Sequence, residues 1–309
     1  MPWKEVSKMS QKNEFVKLAI QDAVNIAQLC SNYEISRTTA YKWINRYKQE
    51  GLDGLEEKSK KPINSPYKTP ENIINLILET RNKFPAWGGR KIRAYLEKQG
   101  HKNLPVPSTI TKIFKQNNLI DKEKSDKRKH FIRFEHENPN DLWQMDFKGN
   151  FPLKYGRCHP LTVLDDHSRY CICLKACSNE KHEVVKTNLI EAFKKYGLPK
   201  RFTMDNGAPW GCSSKDKVLT KLAVWFIKLG IFVGYSRPRH PQTQGKDERF
   251  HRSLKEEVLN IYTIKNIIDA QNQFNQWRFI YNCERPHEAL NMGVPVERYC
   301  PSNREYTDI

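Results

Sequence analysis

Apolar and polar positions alternate with a period of two in LWQMDFKG, residues 142–149. Trp143, Met145 and Phe147 take one face, and Gln144, Asp146 and Lys148 take the other. The pattern predicts a strand with its apolar face turned inward. LTVLDD and RYCICLKA carry the same texture on either side of a tight turn at Asp165–Ser168, giving a three-stranded run with the first. Helical spacing follows: Val184, Val185, Leu189, Ala192 and Phe193 form a stripe that Gly197 ends. KRFTMDNG reads as a short strand closing at Asp205, before an Asn-Gly turn. LTKLAVWFIKLG reads as a helix, IFVGYSR as a strand and GKDERFHRSLKEEVLNIY as a long amphipathic helix. Three strands, helix, strand, helix, strand, helix is the order of one mixed α/β sheet flanked by helices.

Ahead of residue 141 the period is helical. Residues 12–50 form short amphipathic segments with a polar break at Ser31–Glu34. Ser36 is placed to cap ISRTTAYKWINRYK, whose inner stripe is Ala40, Ile44 and Tyr47. This is a helix-turn-helix outline, and its second helix presents Arg37, Thr38, Tyr41 and Lys42 outward. A Gly-, Pro-, Lys- and Ser-rich stretch reads as a linker. A second helical unit runs from Pro70 to Ile120, with PAWGGRKIRAYLE and a segment expected to be capped by Ser108. There Ile110, Ile113 and Phe114 face the core, leaving Ser108, Thr109, Thr111 and Lys112 open to DNA. Trp87–Arg90 shapes a helix start, with Arg90 and Lys91 as phosphate contacts. The expected boundaries are a first helix-turn-helix domain over 1–55, a linker over 56–69 and a second such domain over 70–120. A basic linker covers 121–140, the α/β core 141–265, and a C-terminal helix and tail 266–309.

Charge narrows the partner. The 309 residues carry a net charge of +18. Basic residues outnumber acidic ones by 27 to 16 up to residue 140, and by 26 to 19 beyond it. A polyanion fits such an excess, and nucleic acid is the first choice. The eight cysteines form no CxxC pair and none lies at zinc-finger spacing, so they read as reduced thiols. The most apolar stretch, LAVWFIKLGIFVGY, is too short to span a bilayer and is broken by Lys228. A soluble intracellular protein, with no membrane partner, is expected.

Asp146 is the residue the strand pattern does not explain, since a β-branched residue would fit better there. Alone it reads as a solvated edge residue. Two further acids change that reading. Asp205 closes a strand, so its side chain can point off the end of the sheet, where α/β proteins build sites. Glu248 stands near the start of the long helix, whose core stripe is Phe250, Leu254, Val258 and Ile261. Glu248, Arg252 and Lys255 share another face; Glu248 with Arg252 alone would be an ordinary exposed ion pair. Asp247 is rotated away by about 100°, and Glu256 and Glu257 lie roughly 12 Å further along the axis. Three carboxylates from two strands and a helix suit two divalent cations roughly 3.5–4 Å apart, and hard oxygen donors select Mg²⁺ or Mn²⁺. Asp165 and Asp166 read as turn residues. His240 and His251 read as packing or solvated, with DNA or metal contact as the other option.

WQMDFKG, FTMDNGAPWG and RPRHPQTQGKDERFHRSLKEE resemble the three signature blocks of the DDE transposase and retroviral-integrase core, most closely those of bacterial insertion-sequence transposases. WGGRKI is similar to their helix-turn-helix units and YNCERPHEAL to their closing segment. The resemblance implies an RNase H-like core with a mixed five-stranded sheet flanked by helices, preceded by all-α helix-turn-helix domains. It implies that Asp146, Asp205 and Glu248 are the catalytic, metal-binding triad. It also implies that Lys255, with Arg252 beside it, approaches DNA. The implied activity is a Mg²⁺-dependent DNA transposase that binds inverted-repeat ends and frees 3′-hydroxyls. It then joins them to target DNA by in-line displacement, as at least a dimer on DNA. The interval from Asp205 to Glu248, 43 residues, is longer than in retroviral relatives, with GAPWGCSSKDKVLT as the added loop. A catalytically silent DNA-binding regulator and a nuclease of the same fold remain alternatives.

Overall fold

The computed structural model describes residues 7–58, 68–120, 135–211, 219–235 and 245–308. Residues 121–134 of the basic linker, 212–218 of the added loop, and 236–244 with His240 lie outside the described residues. The chain divides into two compact units, Met1–Lys68 and Thr69–Ile309.

The first unit packs α1 (Lys8–Ala19), α2 (Ile26–Asn32) and α3 (Arg37–Glu50) around Phe15, Val16, Cys30, Ala40, Trp43, Ile44 and Leu55. Ser36 does cap α3: its hydroxyl accepts from the Thr39 amide at 3.2 Å. Arg37, Thr38, Tyr41 and Lys42 lie on the exposed side of that helix. The ammonium of Lys12 sits 3.8 Å from the Trp43 ring centroid, so a cation from α1 stacks on the buried indole of α3.

The second unit begins with α4 (Glu71–Lys83), α5 (Gly89–Lys98) and α6 (Pro107–Gln116). Ile110, Ile113 and Phe114 are buried as their spacing requires. Ser108 is not the cap of α6. Val106 holds that position and Pro107 opens the helix, where a missing N–H costs nothing. Ser108 is exposed, Thr109 half-buried, and Thr111 and Lys112 exposed. α5 and α6 approach so closely at Gly89 that a Cβ there would lie 2.6 Å from the Pro107 carbonyl oxygen. Gly89→Ala is therefore expected to destabilise this unit by roughly 1–3 kcal/mol through overpacking. An unchanged thermal melt would show that the two helices are free to separate.

The sheet is built from β1 (Trp143–Phe147), β2 (Phe151–Pro152), β3 (Arg157–Asp165), β4 (Cys171–Cys177), β5 (Arg201–Met204) and β6 (Phe232–Tyr235). Five strands run in the order β4–β3–β1–β5–β6, and the two-residue β2 adds a sixth beside β3. β1 pairs antiparallel with β3 and parallel with β5. Two residues, one of them proline, carry no periodicity, so β2 could not be read from sequence.

Helices cover both faces. α7 (His182–Tyr196) and α8 (Lys221–Lys228) close over Trp143, Met145, Phe147, Phe202 and Met204. α9 (Gly245–Leu254) and α10 (Ile267–Phe279) close over Cys158, Leu164, Cys171 and Leu174. The polar face of β1 thus looks towards α9 and not towards water, and Gln144 is 4% exposed. α9 continues as a π-helical turn, Lys255–Leu259, and α10 as a second one, Ile280–Glu284. The change of winding breaks the expected stripe: Phe250, Leu254 and Val258 are buried, but Ile261 is exposed.

Two long-range attachments complete the unit. Arg90 pairs with Glu288 at 2.5 Å and Lys98 with Glu297 at 2.5 Å, while Ile280 packs on the core of α4–α6. Past residue 298 the chain returns to the sheet layer. Ser302 donates from its amide to the Tyr196 carbonyl at 2.8 Å, and the Arg304 carbonyl accepts from the Leu198 amide at 2.7 Å. The Arg304 guanidinium donates to the carbonyls of Pro199, Leu229 and Gly230. Gly197, at φ +74°, leaves room for this strap, since a Cβ there would meet the Ser302 carbonyl oxygen at 2.6 Å. Among the described residues no helix is long and apolar enough to cross a membrane.

Candidate catalytic site

Asp146 stands on the polar row of β1, half-buried beneath α9. Its carboxyl is pushed up to about 7, first by burial and then by the charges of Asp205 and Glu180. Asp205 follows the last residue of β5, the parallel neighbour of β1, and is exposed, as a side chain off a strand end should be. Glu180 precedes α7 and accepts or shares a proton with His159 Nδ1 at 2.7 Å. Sequence reasoning missed Glu180, because nothing in its local pattern distinguishes it from a loop acid.

Glu248 lies in the first turn of α9, on the exposed side of the helix. The structure therefore brings Asp146 and Asp205 together and leaves Glu248 on the rim. Among the described residues no three His, Cys, Asp or Glu side chains gather to hold a metal ion. The donor chemistry around Asp146 still fits a hard divalent cation. Its donors are carboxylate oxygens, and their mutual repulsion is what a bound cation would relieve.

Asp247, set aside as rotated from Glu248, turns inward and is 3% exposed. Burial raises its carboxyl well above the usual range, and Asp146 and Asp166 raise it further. Next to it Lys246 donates to the Asp166 carboxylate and, at 3.2 Å, to the Asp166 carbonyl. Asp166 also accepts from Gln144 Nε2 at 2.7 Å and from the His136 amide at 2.9 Å. Asp165 serves its own turn, accepting from the Ser168 and Asn140 amides. Asp166 does more than shape a turn: through Lys246 it anchors the start of the helix that carries Glu248.

His251 lies one turn after Asp247 and is half-buried. The Thr162 hydroxyl donates to the Asp146 carbonyl at 2.9 Å, so its only proton is spent there. His251 Nε2, 2.8 Å from the same hydroxyl, must then be the donor. Nδ1 is left as a lone pair 4.0 Å from the Asp146 carboxylate. Burial and the neighbouring Lys148 pull the ring down to about 3, so it is neutral. Lys148 is itself lowered, by burial and by Lys255, which places two ammonium groups at one margin of the site. Arg252 and Lys255 are exposed on α9 and its π-helical continuation. Arg90 is largely exposed beside Glu288. Lys91 is half-buried, its ammonium pushed down to about 7 by burial and then by Arg285, against the opposing pull of Glu257.

Two models of the integrase core domain match this chain, over residues 136–241 and 229–295. A homeodomain-like model matches residues 39–114 and a helix-turn-helix model residues 11–63. The chain is 24% identical over 354 aligned positions to the transposase of transposon Tn552 from Staphylococcus aureus, covering 97% of this chain and 70% of that one. It is 23% identical to a protein of insertion element IS407 from Burkholderia multivorans, covering 74% and 80%. Among solved structures, the magnesium complex of the HTLV-2 integrase catalytic core superposes with a TM-score of 0.39 at 14% identity. It covers 52% of this chain and 96% of that one.

Proposed function

For a chain that belongs to the integrase-core superfamily of insertion-sequence transposases and carries helix-turn-helix domains ahead of that core, we propose a metal-dependent DNA strand transferase. It binds the inverted repeats at the element's ends, cuts there to leave 3′-hydroxyls, and joins these to target DNA. The placement of Asp146 and Asp205 on adjacent parallel strands, with Glu248 on the helix that covers the first of them, carries this reading, since a DNA-binding protein without chemistry has no use for a half-buried carboxylate there.

Asp146, Asp205 and Glu248 would hold the metal, Glu248 from the exposed side of the first turn of α9. Mg²⁺ or Mn²⁺ held there, as two ions, would supply charge neutralisation for phosphoryl transfer. His251 and Thr162 fix the backbone at Asp146, and the Asp166–Lys246 pair fixes the first turn of α9. Arg252 and Lys255 hold the DNA backbone next to the reacting bond. Arg37, Thr38, Tyr41 and Lys42 of α3 read one part of the repeat, and Ser108, Thr109 and Lys112 of α6 another, with Arg90 on a phosphate. Lys91, half-buried next to Arg90 on α5, is the second phosphate contact there. Two ends must be joined together, so the active species is at least a dimer on DNA.

The test uses DNA carrying the repeats from either flank of the gene, a target plasmid and Mg²⁺. Nicked ends and joined products are expected, lost on chelation and restored by Mn²⁺. Repeat-specific binding with no cleavage in either metal would leave a DNA-binding regulator in place of the enzyme. Nicking without joining would leave a nuclease.

A further inference from the structure

Glu288 opens a short helical turn in the closing segment, and its two carboxylate oxygens face guanidiniums from different parts of the chain. Oε1 lies 2.5 Å from Arg90 Nη1, on the first turn of α5. Oε2 lies 4.0 Å from Arg249 Nη2, on α9 next to Glu248. Both arginine side chains are about two-thirds exposed, at 63% and 68%, so the fork of each is open to solvent on its far side. The surroundings are strongly basic. Lys91 lies behind them, and Arg285 and Arg249 add to the burial that holds its ammonium down. Glu257 is committed to Arg285 at 2.9 Å. Glu288 thus stands between the two exposed arginines, in the place an external anion would occupy.

We propose that Glu288 is an internal stand-in for a DNA phosphate: a backbone phosphate displaces it and is then held jointly by Arg90 of the second helix-turn-helix unit and Arg249 of the catalytic helix. This rests on the DNA-joining reading above. A guanidinium fork donates to carboxylate and phosphate oxygens in the same geometry. An exposed Arg–Glu pair is weak in water, whereas a duplex phosphate brings the entropy of counterion release. The exchange therefore runs towards DNA. Its consequence is that one phosphate clamps the end-recognition unit and the helix carrying Glu248 into a single register.

The experiment measures affinity for a duplex carrying the repeat against salt concentration, in the full-length protein. Glu288→Gln is expected to bind about 2- to 5-fold tighter, the worth of removing an exposed competing pair. Arg90→Ala with Arg249→Ala is expected to weaken binding and to lower the salt slope by roughly 0.9 for each phosphate no longer neutralised. In that double-alanine background Glu288→Gln should bring no further gain. Because Glu288 opens a turn, Glu288→Ala is run beside it, and both are checked by thermal melt. Unchanged or weaker binding by folded Glu288→Gln and Glu288→Ala overturns the proposal. So does an equal gain in the double-alanine background, which would be a plain charge effect. Wild type that binds duplex but shows either result leaves the transposase reading standing; wild type that binds no duplex at any salt concentration removes both.

Discussion

Asp146→Asn is expected to lose strand cleavage and joining by about 10³-fold or more, because the neutral amide would hold a divalent cation much more weakly than the carboxylate, and such a cation would contribute several kcal/mol at roughly 1.4 kcal/mol per decade of rate. Repeat binding should stay within about 2-fold of wild type, since Asp146 lies on the sheet and offers DNA nothing but negative charge. The variant should also melt no lower than wild type at neutral pH. A half-buried carboxyl held up to about 7 costs folding stability as pH rises from the ordinary carboxylate range through that value, and asparagine removes this cost. Glu248→Gln should give the same loss of activity from an exposed position. Joining that survives in either variant would show that the acids around Asp146 do not run the reaction.

The second large effect is structural. Arg285 and Glu257 are each 8% exposed and face each other across the two π-helical turns. Arg285 Nε donates to both Glu257 oxygens, at 2.9 and 3.2 Å, and its Nη2 donates to Ser253 at 2.9 Å. The Trp277 indole N–H donates to Glu257 as well, at 2.9 Å. Arg285→Ala would strand the Glu257 charge inside, at a cost of about 3–5 kcal/mol. At 2–4 °C per kcal/mol for a unit of this size, the melt should fall by roughly 6–20 °C. Adding Glu257→Leu to that variant should recover part of the fall, because no charge is then left buried, although alanine does not fill the volume of the arginine. A single variant that melts as wild type does would mean water reaches the pair.

The order of strands and helices, β2 apart, was readable because the other elements of the core have a clean period. Trp143, Met145 and Phe147 sat where alternation placed them, and Val185, Leu189 and Phe193 formed one stripe of α7. Alternation could not reveal that the polar row of β1 is covered as well. Gln144 and Asp146 look solvated in sequence, and only the packing of α9 turns them into the floor of a site. Asp247 was legible: it stands three and seven positions before Phe250 and Leu254, and so falls on their buried stripe. Glu180, Thr162 and Lys246 join the site through contacts that no local pattern encodes. Ser108 was read as a cap by residue type, although Pro107 beside it already marks a helix start. The attachment of α5 to the closing segment was illegible for a simpler reason: Arg90 and Glu288 are 198 positions apart.

The strap beyond residue 298 bears on how the protein is made. Gly197 and Leu198 leave the ribosome more than a hundred residues ahead of Ser302 and Arg304, which at 5–20 residues per second is a wait of roughly 5–20 s. Until Arg304 is made, the Leu229 and Gly230 carbonyls lack the guanidinium that donates to them in the finished fold. A nascent chain therefore holds an unfinished sheet layer until the strap arrives. One terminated before residue 299 holds it permanently, as a substrate for proteases. Broken copies of the gene should accordingly yield little standing protein.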